Sequence, residues 1–449
     1  MSKRFEGIGL TCGNYPSVDI GDKIFGGENT LQQQMNVEAA LARAQAKLGI
    51  IPKEAAEEIT RKCDVSLLDE AEHKRQVEIT NHPLVPLIRV YSAVCENGYG
   101  EYIHYGATSQ DIGDTALMLQ LRQAFDIVLE KAEKLKAILS EKALIYKSLV
   151  MMGRTNDQQA LPITLGFKMA SWVDELGRSI ERMKDSRERV FVGQFAGAVG
   201  TLASLEENGL EVQRLLMEEL DLGVPDIAWY TARDRLAELV SDVSILTCSL
   251  GRFGNEVYNG SKSEVNELAE GFIPGRVGSS TMPHKRNPFV SGALVAYARQ
   301  ARNLMPDMLS CMEATNERDC RTLFYENEVL AKTFLLADCA LDTAINLFSN
   351  LEVHKNGIQR NLDLLGGLVF AEALMMRLSK EFGRLEAHGM IYQLAQKAIG
   401  ENVPFRTLLL ADPVIGERIS AEELDDIMQA GHYIGLSEYF VDRVCGKAE

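Results

Sequence analysis

The chain has 449 residues, 46% of them hydrophobic, enough for a large core divided among two or three domains. Its 64 acidic and 47 basic side chains leave a net charge of −17, which argues against nucleic acid or an anionic membrane as a partner. Eight cysteines, at 12, 63, 95, 248, 311, 320, 339 and 445, form no CxxC pair and no His/Cys cluster of metal-ligand spacing. Reduced thiols, no apolar run behind the charged Met1–Leu10 start and no stretch of transmembrane length together predict a cytoplasmic protein without a metal.

In chain order, a small helical head is expected over residues 1–111, ending in the glycine-bearing stretch from Tyr105 to Gly113. A long helix is expected from Asp114, because Leu117, Leu121, Ala124, Val128, Ala132, Leu135 and Leu139 recur at spacings of three and four and form one apolar stripe. The same period returns in Leu236, Leu239, Val240, Val243, Leu246 and Leu250, again from Val290 to Leu304, and from Glu328 to Leu347. A middle domain of long helices is therefore expected over 112–363, and a tail of shorter helices, broken by Pro404 and Pro413, over 364–449. Strand-like alternation is nearly absent, so the predicted fold is all-α: three helical domains around a central long-helix bundle. Helices with apolar faces wider than one partner can cover predict a homo-oligomer.

The segment Gly278-Ser279-Ser280-Thr281-Met282-Pro283-His284-Lys285-Arg286-Asn287-Pro288 carries the most chemistry. Glycine turns, small hydroxyls and a Lys/Arg pair beside an asparagine describe a cationic loop. Such a loop can bring a hydroxyl to a C–H bond while Lys285 and Asn287 hold a carboxylate that takes up the developing charge. Composition alone fits a basic surface loop equally well.

GSSTMPHKRNP resembles the GSSxMPxKxNP signature of the fumarase/aspartase superfamily, especially its adenylosuccinate lyase and 3-carboxy-cis,cis-muconate cycloisomerase branch. The resemblance implies that Ser279 is the general base, that Lys285 and Asn287 stabilise the aci-carboxylate, and that Ser280 and Met282 lie against the substrate. His104-Tyr105-Gly106-Ala107-Thr108-Ser109-Gln110-Asp111 is similar to the family's GATSxD motif, with Thr108 and Ser109 as carboxylate binders; a helix cap, with Asp114 as candidate, is the alternative. Gly153-Arg154-Thr155-Asn156-Asp157-Gln158-Gln159-Ala160-Leu161-Pro162 resembles GRTHxQxAxP, implying substrate contacts from Thr155 and Gln158. It departs from the family at Asn156 and Gln159, where relatives carry catalytic histidines; neither amide can act as a general acid near neutral pH.

His82, in Thr80-Asn81-His82-Pro83-Leu84-Val85-Pro86, aligns with a histidine of adenylosuccinate lyases and is the best surviving proton donor. The small-residue stretch Val192 to Thr201 resembles a substrate-lining segment and offers Gln194 as a contact, although close helix packing explains its glycines as well. Asn316-Glu317-Arg318-Asp319 resembles a W-x-E-R-D stretch whose arginine binds substrate, which implies that role for Arg318. The serine and arginine that follow it in adenylosuccinate lyases and hold the nucleotide phosphate are replaced here by Leu323 and Asn327, which disfavours a nucleotide substrate. The segments Phe370-Ala371-Glu372-Ala373 to His388 and His432-Tyr433-Ile434-Gly435 resemble the cycloisomerase tail.

The resemblance implies a homotetramer with active sites shared between subunits, a small di- or tricarboxylate substrate, and no cofactor. The expected reaction is β-elimination from a substituted succinate to give fumarate. A 3-carboxy-cis,cis-muconate cycloisomerase, an adenylosuccinate lyase, or a catalytically silent structural relative are the alternatives. Without the two histidines, the leaving group is expected to depart as a stable anion.

Overall fold

The apolar stripe from Leu117 to Leu139 is buried along its whole length, as are all six positions of the stripe from Leu236 to Leu250. Each such leucine contributes about 1.5–3 kcal/mol on leaving water, so these faces decide where the helices lie. The protein is described by a computed structural model covering residues 20–271, 275, 279 and 281–446. Five helices dominate it: Ser109–Ile145, Leu165–Val190, Asp234–Gly260, Phe289–Arg302 and Cys320–Ser349. Shorter helices precede and follow them, so the expected all-α class holds. Among the described residues, no helix is long and apolar enough to cross a membrane.

The chain divides into two compact units. One takes the residues up to Ala132 together with Ser179–Gly251 and Ala296–Asp342; the other takes Glu133–Arg178, Arg252–Val295 and the chain from Thr343 onward. All five long helices contribute residues to both. In the second unit Trp172 stacks on Phe253 at 5.6 Å and meets Phe348 at 5.7 Å. The tail has a core of its own, built on Leu374, Leu378, Ile391, Phe405, Leu409 and Leu424. There Asp412 caps the Pro413–Arg418 helix and Ser420 caps Ala421–Ile427.

Two local expectations need correction. The first long helix starts at Ser109, five residues before Asp114. The Thr108 N–H donates to Asp111 Oδ2 at 2.9 Å, the reach-back of a capping box, so Thr108 and Asp111 end the glycine-bearing stretch and Asp114 sits inside the helix. The second is that 150–164 is an antiparallel hairpin, with strands Val150–Thr155 and Gln158–Thr164. Asn156 and Asp157 form its two-residue loop with φ of 50° and 61°, the left-handed pair of a type I′ turn that asparagine and aspartate tolerate.

Candidate active site

In the first unit, Arg318 meets the start of the Ser109–Ile145 helix. Its guanidinium donates from Nη1 to Thr108 Oγ1 at 2.6 Å, from Nη2 to Ser109 Oγ at 3.3 Å and from Nε to Gln110 Oε1 at 3.3 Å. Two segments that sequence reading placed separately thus form one cluster, in which a guanidinium, two hydroxyls and a helix N-terminus offer donors to a carboxylate. The Arg318 guanidinium also lies 5.8 Å from the centroid of the Tyr230 ring.

The cluster is held from behind by Asp111, which is fully buried. Its carboxyl accepts from the N–H groups of Thr108, Ala196 and Gly197 and sits 2.5 Å from the Tyr230 hydroxyl. Burial pushes its pKa up to about 6, against the pull of those donors. The Tyr230 oxygen also lies 2.7 Å from Gly197 O, and one phenolic proton cannot serve two acceptors. A proton on Asp111 resolves this, since Asp111 then donates to Tyr230 and Tyr230 to Gly197.

Asp111→Asn is expected to cost about 1–3 kcal/mol, because both carboxyl oxygens face N–H donors and an amide must turn its NH2 toward one of them. The sign with pH follows from the raised value: the wild-type contribution is full below the ordinary carboxyl value of 3.8 and is lost as pH rises through about 6. The stability gap between wild type and variant should therefore narrow over that interval in denaturant titrations; a constant gap would count against a neutral Asp111.

His104, quoted in the motif but given no role there, proves to anchor this loop. Its N–H and its Nδ1 meet Glu38 Oε2 and Oε1 at 3.0 and 2.7 Å. Burial alone would lower the ring's pKa, but the hydrogen bond and charge of Glu38 outweigh it and the net shift is upward. The next turn needs Gly106: its φ is 73°, and a β-carbon there would come within 2.8 Å of Leu205.

His82 lines a cavity of about 490 Å3 whose wall also includes Ser109 and Arg318. Its Nδ1 accepts the N–H groups of Leu84 and Val85, both at 3.1 Å, so the neutral ring carries its proton on Nε2. Gln194, expected from the sequence as a substrate contact, is fully buried in the chain. Its Oε1 accepts the Trp229 N–H at 2.9 Å and its backbone is bonded to Thr115, so it shapes the 194–197 segment from inside and is absent from the cavity wall.

The remaining candidates lie in the second unit. Ser279 Oγ accepts the Met282 N–H at 3.1 Å and, more weakly, the Thr281 N–H at 3.4 Å. Donors aimed at a hydroxyl oxygen favour its deprotonated form, as a serine base requires. Met282 and Lys285 are exposed and Asn287 is half-buried; Ser280 lies outside the described residues. Arg286 fixes the loop with two bonds to Glu352, at 3.0 and 3.1 Å, and one to Glu270 O at 2.8 Å. Thr155 and Gln158 are the exposed pair that closes the hairpin, and Asn156 is at its tip. Neighbouring Arg154 forms a bidentate pair with buried Glu267 at 2.6 and 2.8 Å, which leaves it a structural role. Among the described residues, no group of histidine, cysteine and acidic side chains could hold a metal.

Residues 19–302 match the family model described as lyase, and residues 367–444 match the one described as adenylosuccinate lyase C-terminus. The chain belongs to the fumarase/aspartase superfamily. It is 37% identical to an N-acetyl-S-(2-succino)cysteine lyase of Dickeya dadantii, over 94% of this chain and 93% of that one. It is 39% identical to an adenylosuccinate lyase of Methanocaldococcus jannaschii, over 94% and 92%. The crystal structure of the 3-carboxy-cis,cis-muconate lactonizing enzyme from Pseudomonas putida superposes with a TM-score of 0.87 at 34% identity, covering 94% of this chain and 95% of that one. The chain is thus an enzyme of a superfamily whose named members include lyases and cycloisomerases.

Proposed function

We propose that the protein is a lyase that eliminates a substituent from a small substituted succinate and releases fumarate. The observation that carries this reading is the Arg318–Thr108–Ser109 cluster, a carboxylate binder set in the wall of the cavity that His82 also lines. Ser279 removes the proton α to one carboxylate, Lys285 and Asn287 stabilise the resulting dianion, and the β substituent departs. Thr155, Gln158, Ser280 and Met282 complete the contacts with the substrate.

The working unit in this reading is a cytoplasmic homotetramer, in which the carboxylate cluster of one copy is completed by the serine loop and the hairpin of others. Exposed apolar side chains on the long helices, among them Leu144, Ile145, Ile245 and Tyr258, support such an assembly. With Asn156 and Gln159 in place of histidines, the leaving group departs as a stable anion such as a thiolate or a carboxylate. Asn156→Gly keeps the turn, and Gln159→Ala removes the amide; each is expected to hold kcat within about threefold, well short of the 10²–10⁴ that loss of a general acid costs. A sharp drop in either variant would assign proton transfer to that amide position and contradict this reading.

A second reading, a 3-carboxy-cis,cis-muconate cycloisomerase, is supported by the likeness to the Pseudomonas putida enzyme. The two readings differ in product. Purified protein incubated in parallel with an S-succinated thiol and with 3-carboxy-cis,cis-muconate, with products separated by chromatography, should yield fumarate from the first; a lactone from the second with no fumarate from the first would select the cycloisomerase.

A further inference from the structure

We infer, resting on the lyase reading above, that Gln110 is a positioning residue: it holds the Arg318 guanidinium so that its fork faces Thr108 and Ser109, and thereby sets the affinity for a substrate carboxylate. Gln110 follows those two residues in the chain, lines the same cavity as Ser109 and Arg318, and is only 5% exposed. Its Nε2 donates to Asp114 Oδ2 and to the Tyr230 carbonyl oxygen, both at 3.1 Å. A backbone carbonyl can only accept, so the NH2 end of the amide must face it. Asp114 is itself fixed, since its two oxygens are bonded to the terminal nitrogens of buried Arg233 at 3.0 and 3.1 Å. That leaves the Gln110 Oε1 to accept the N–H of Arg318 Nε at 3.3 Å.

A guanidinium held at its two terminal nitrogens alone can still tilt about the line that joins them; a third bond at Nε fixes its plane. In that plane Nη1 donates to Thr108 Oγ1 at 2.6 Å and Nη2 to Ser109 Oγ at 3.3 Å. Each hydroxyl accepts from Arg318 and keeps its own proton, so both O–H groups become donors for a carboxylate beside the guanidinium. Gln110 therefore acts on the substrate through Arg318 and not by touching it. Its side chain is matched at both ends, acceptors against its NH2 and a donor against its oxygen. A hydrocarbon of the same length would fill the space and lose the match.

Gln110→Met should raise KM for fumarate release from an S-succinated thiol about tenfold and leave kcat within about threefold, because a bond that serves the bound carboxylate equally in ground and transition states alters affinity alone. In an Arg318→Lys background, where no Nε–H remains for the amide to hold, the same substitution should move KM less than about twofold. A purely structural Gln110 would cause the same loss in both backgrounds, and that result would overturn the inference, as would an unchanged KM or a loss in kcat alone. If Gln110→Met folds poorly, Gln110→Asn, whose amide is one methylene too short to span Asp114 and Arg318, carries the same cycle. Calorimetric binding of succinate separates this role from the lyase reading. If no form releases fumarate, yet Gln110→Met weakens succinate binding about tenfold with Arg318 present and less than about twofold with Arg318→Lys, the lyase reading fails and the positioning role stands. Equal binding by wild type and Gln110→Met, or none by either, ends that role.

Discussion

Ser279→Ala is expected to lower kcat for fumarate release by about 10³-fold, within the range for loss of a positioned general base, while KM stays within about threefold. In the proposed mechanism the serine oxygen meets the substrate's α proton only as that proton leaves, so its removal would cost transition-state and not ground-state stabilisation, and kcat would fall together with kcat/KM. In the structure the side chain is half-buried and accepts the N–H groups of Thr281 and Met282. These are bonds a serine can lose without unfolding a surface loop, and the melting temperature should not move. Rapid-mixing kinetics on wild type and variant, with melting curves alongside, separate the outcomes. A variant that keeps more than about a tenth of wild-type kcat would remove Ser279 from the role of base.

The largest stability effect is expected at Arg233, which is nearly fully buried between Asp114 and Glu326. It bonds Asp114 through both terminal nitrogens and Glu326 through Nε at 2.9 Å and again through Nη2. Burial raises the pKa of Glu326, and the charge of Arg233 opposes that rise. Arg233→Met leaves two carboxylates in a dry interior and should cost about 3–5 kcal/mol, the usual consequence of removing one partner of a buried ion pair. Without the guanidinium the Glu326 pKa rises further above its unfolded value. Its contribution is then retained at low pH and lost as pH climbs through the raised folded value, so the deficit should grow as pH rises above the ordinary carboxyl range. Denaturant titrations at several pH values read this directly. A deficit independent of pH would mean that lost packing, and not the stranded charges, sets the cost.

How much of this was legible before the structure depended on the range of the interaction. The stripe from Leu117 to Leu139 could be read because a helical period needs only neighbours within two turns, and every one of its positions is buried. The true start of that helix was also written locally, as Thr108 and Asp111 three residues apart, but the glycines around it favoured a loop reading as far as Gly113. The hairpin was missed for two reasons. Its Asn-Asp loop lacks the glycine that usually announces a type I′ turn, and Met151 and Met152 are both buried, which erases the alternation of a strand. Arg318 and Thr108 are 210 residues apart, and resemblance proposed a role for each without showing that they share a hydrogen bond. Gln194 could be read only as a polar residue in a glycine-rich segment; that its side chain is buried and its Oε1 accepts the Trp229 N–H is a property of the fold.

Ser279 is expected to drive release of fumarate from a substituted succinate. The most direct test is fumarate release by purified wild-type protein and Ser279→Ala across amino-, thio- and nitro-substituted succinates and adenylosuccinate. Serine-dependent release is expected from at least one compound without a phosphate, and little from adenylosuccinate. No release from any of them, or release that survives the loss of the serine hydroxyl, would contradict it.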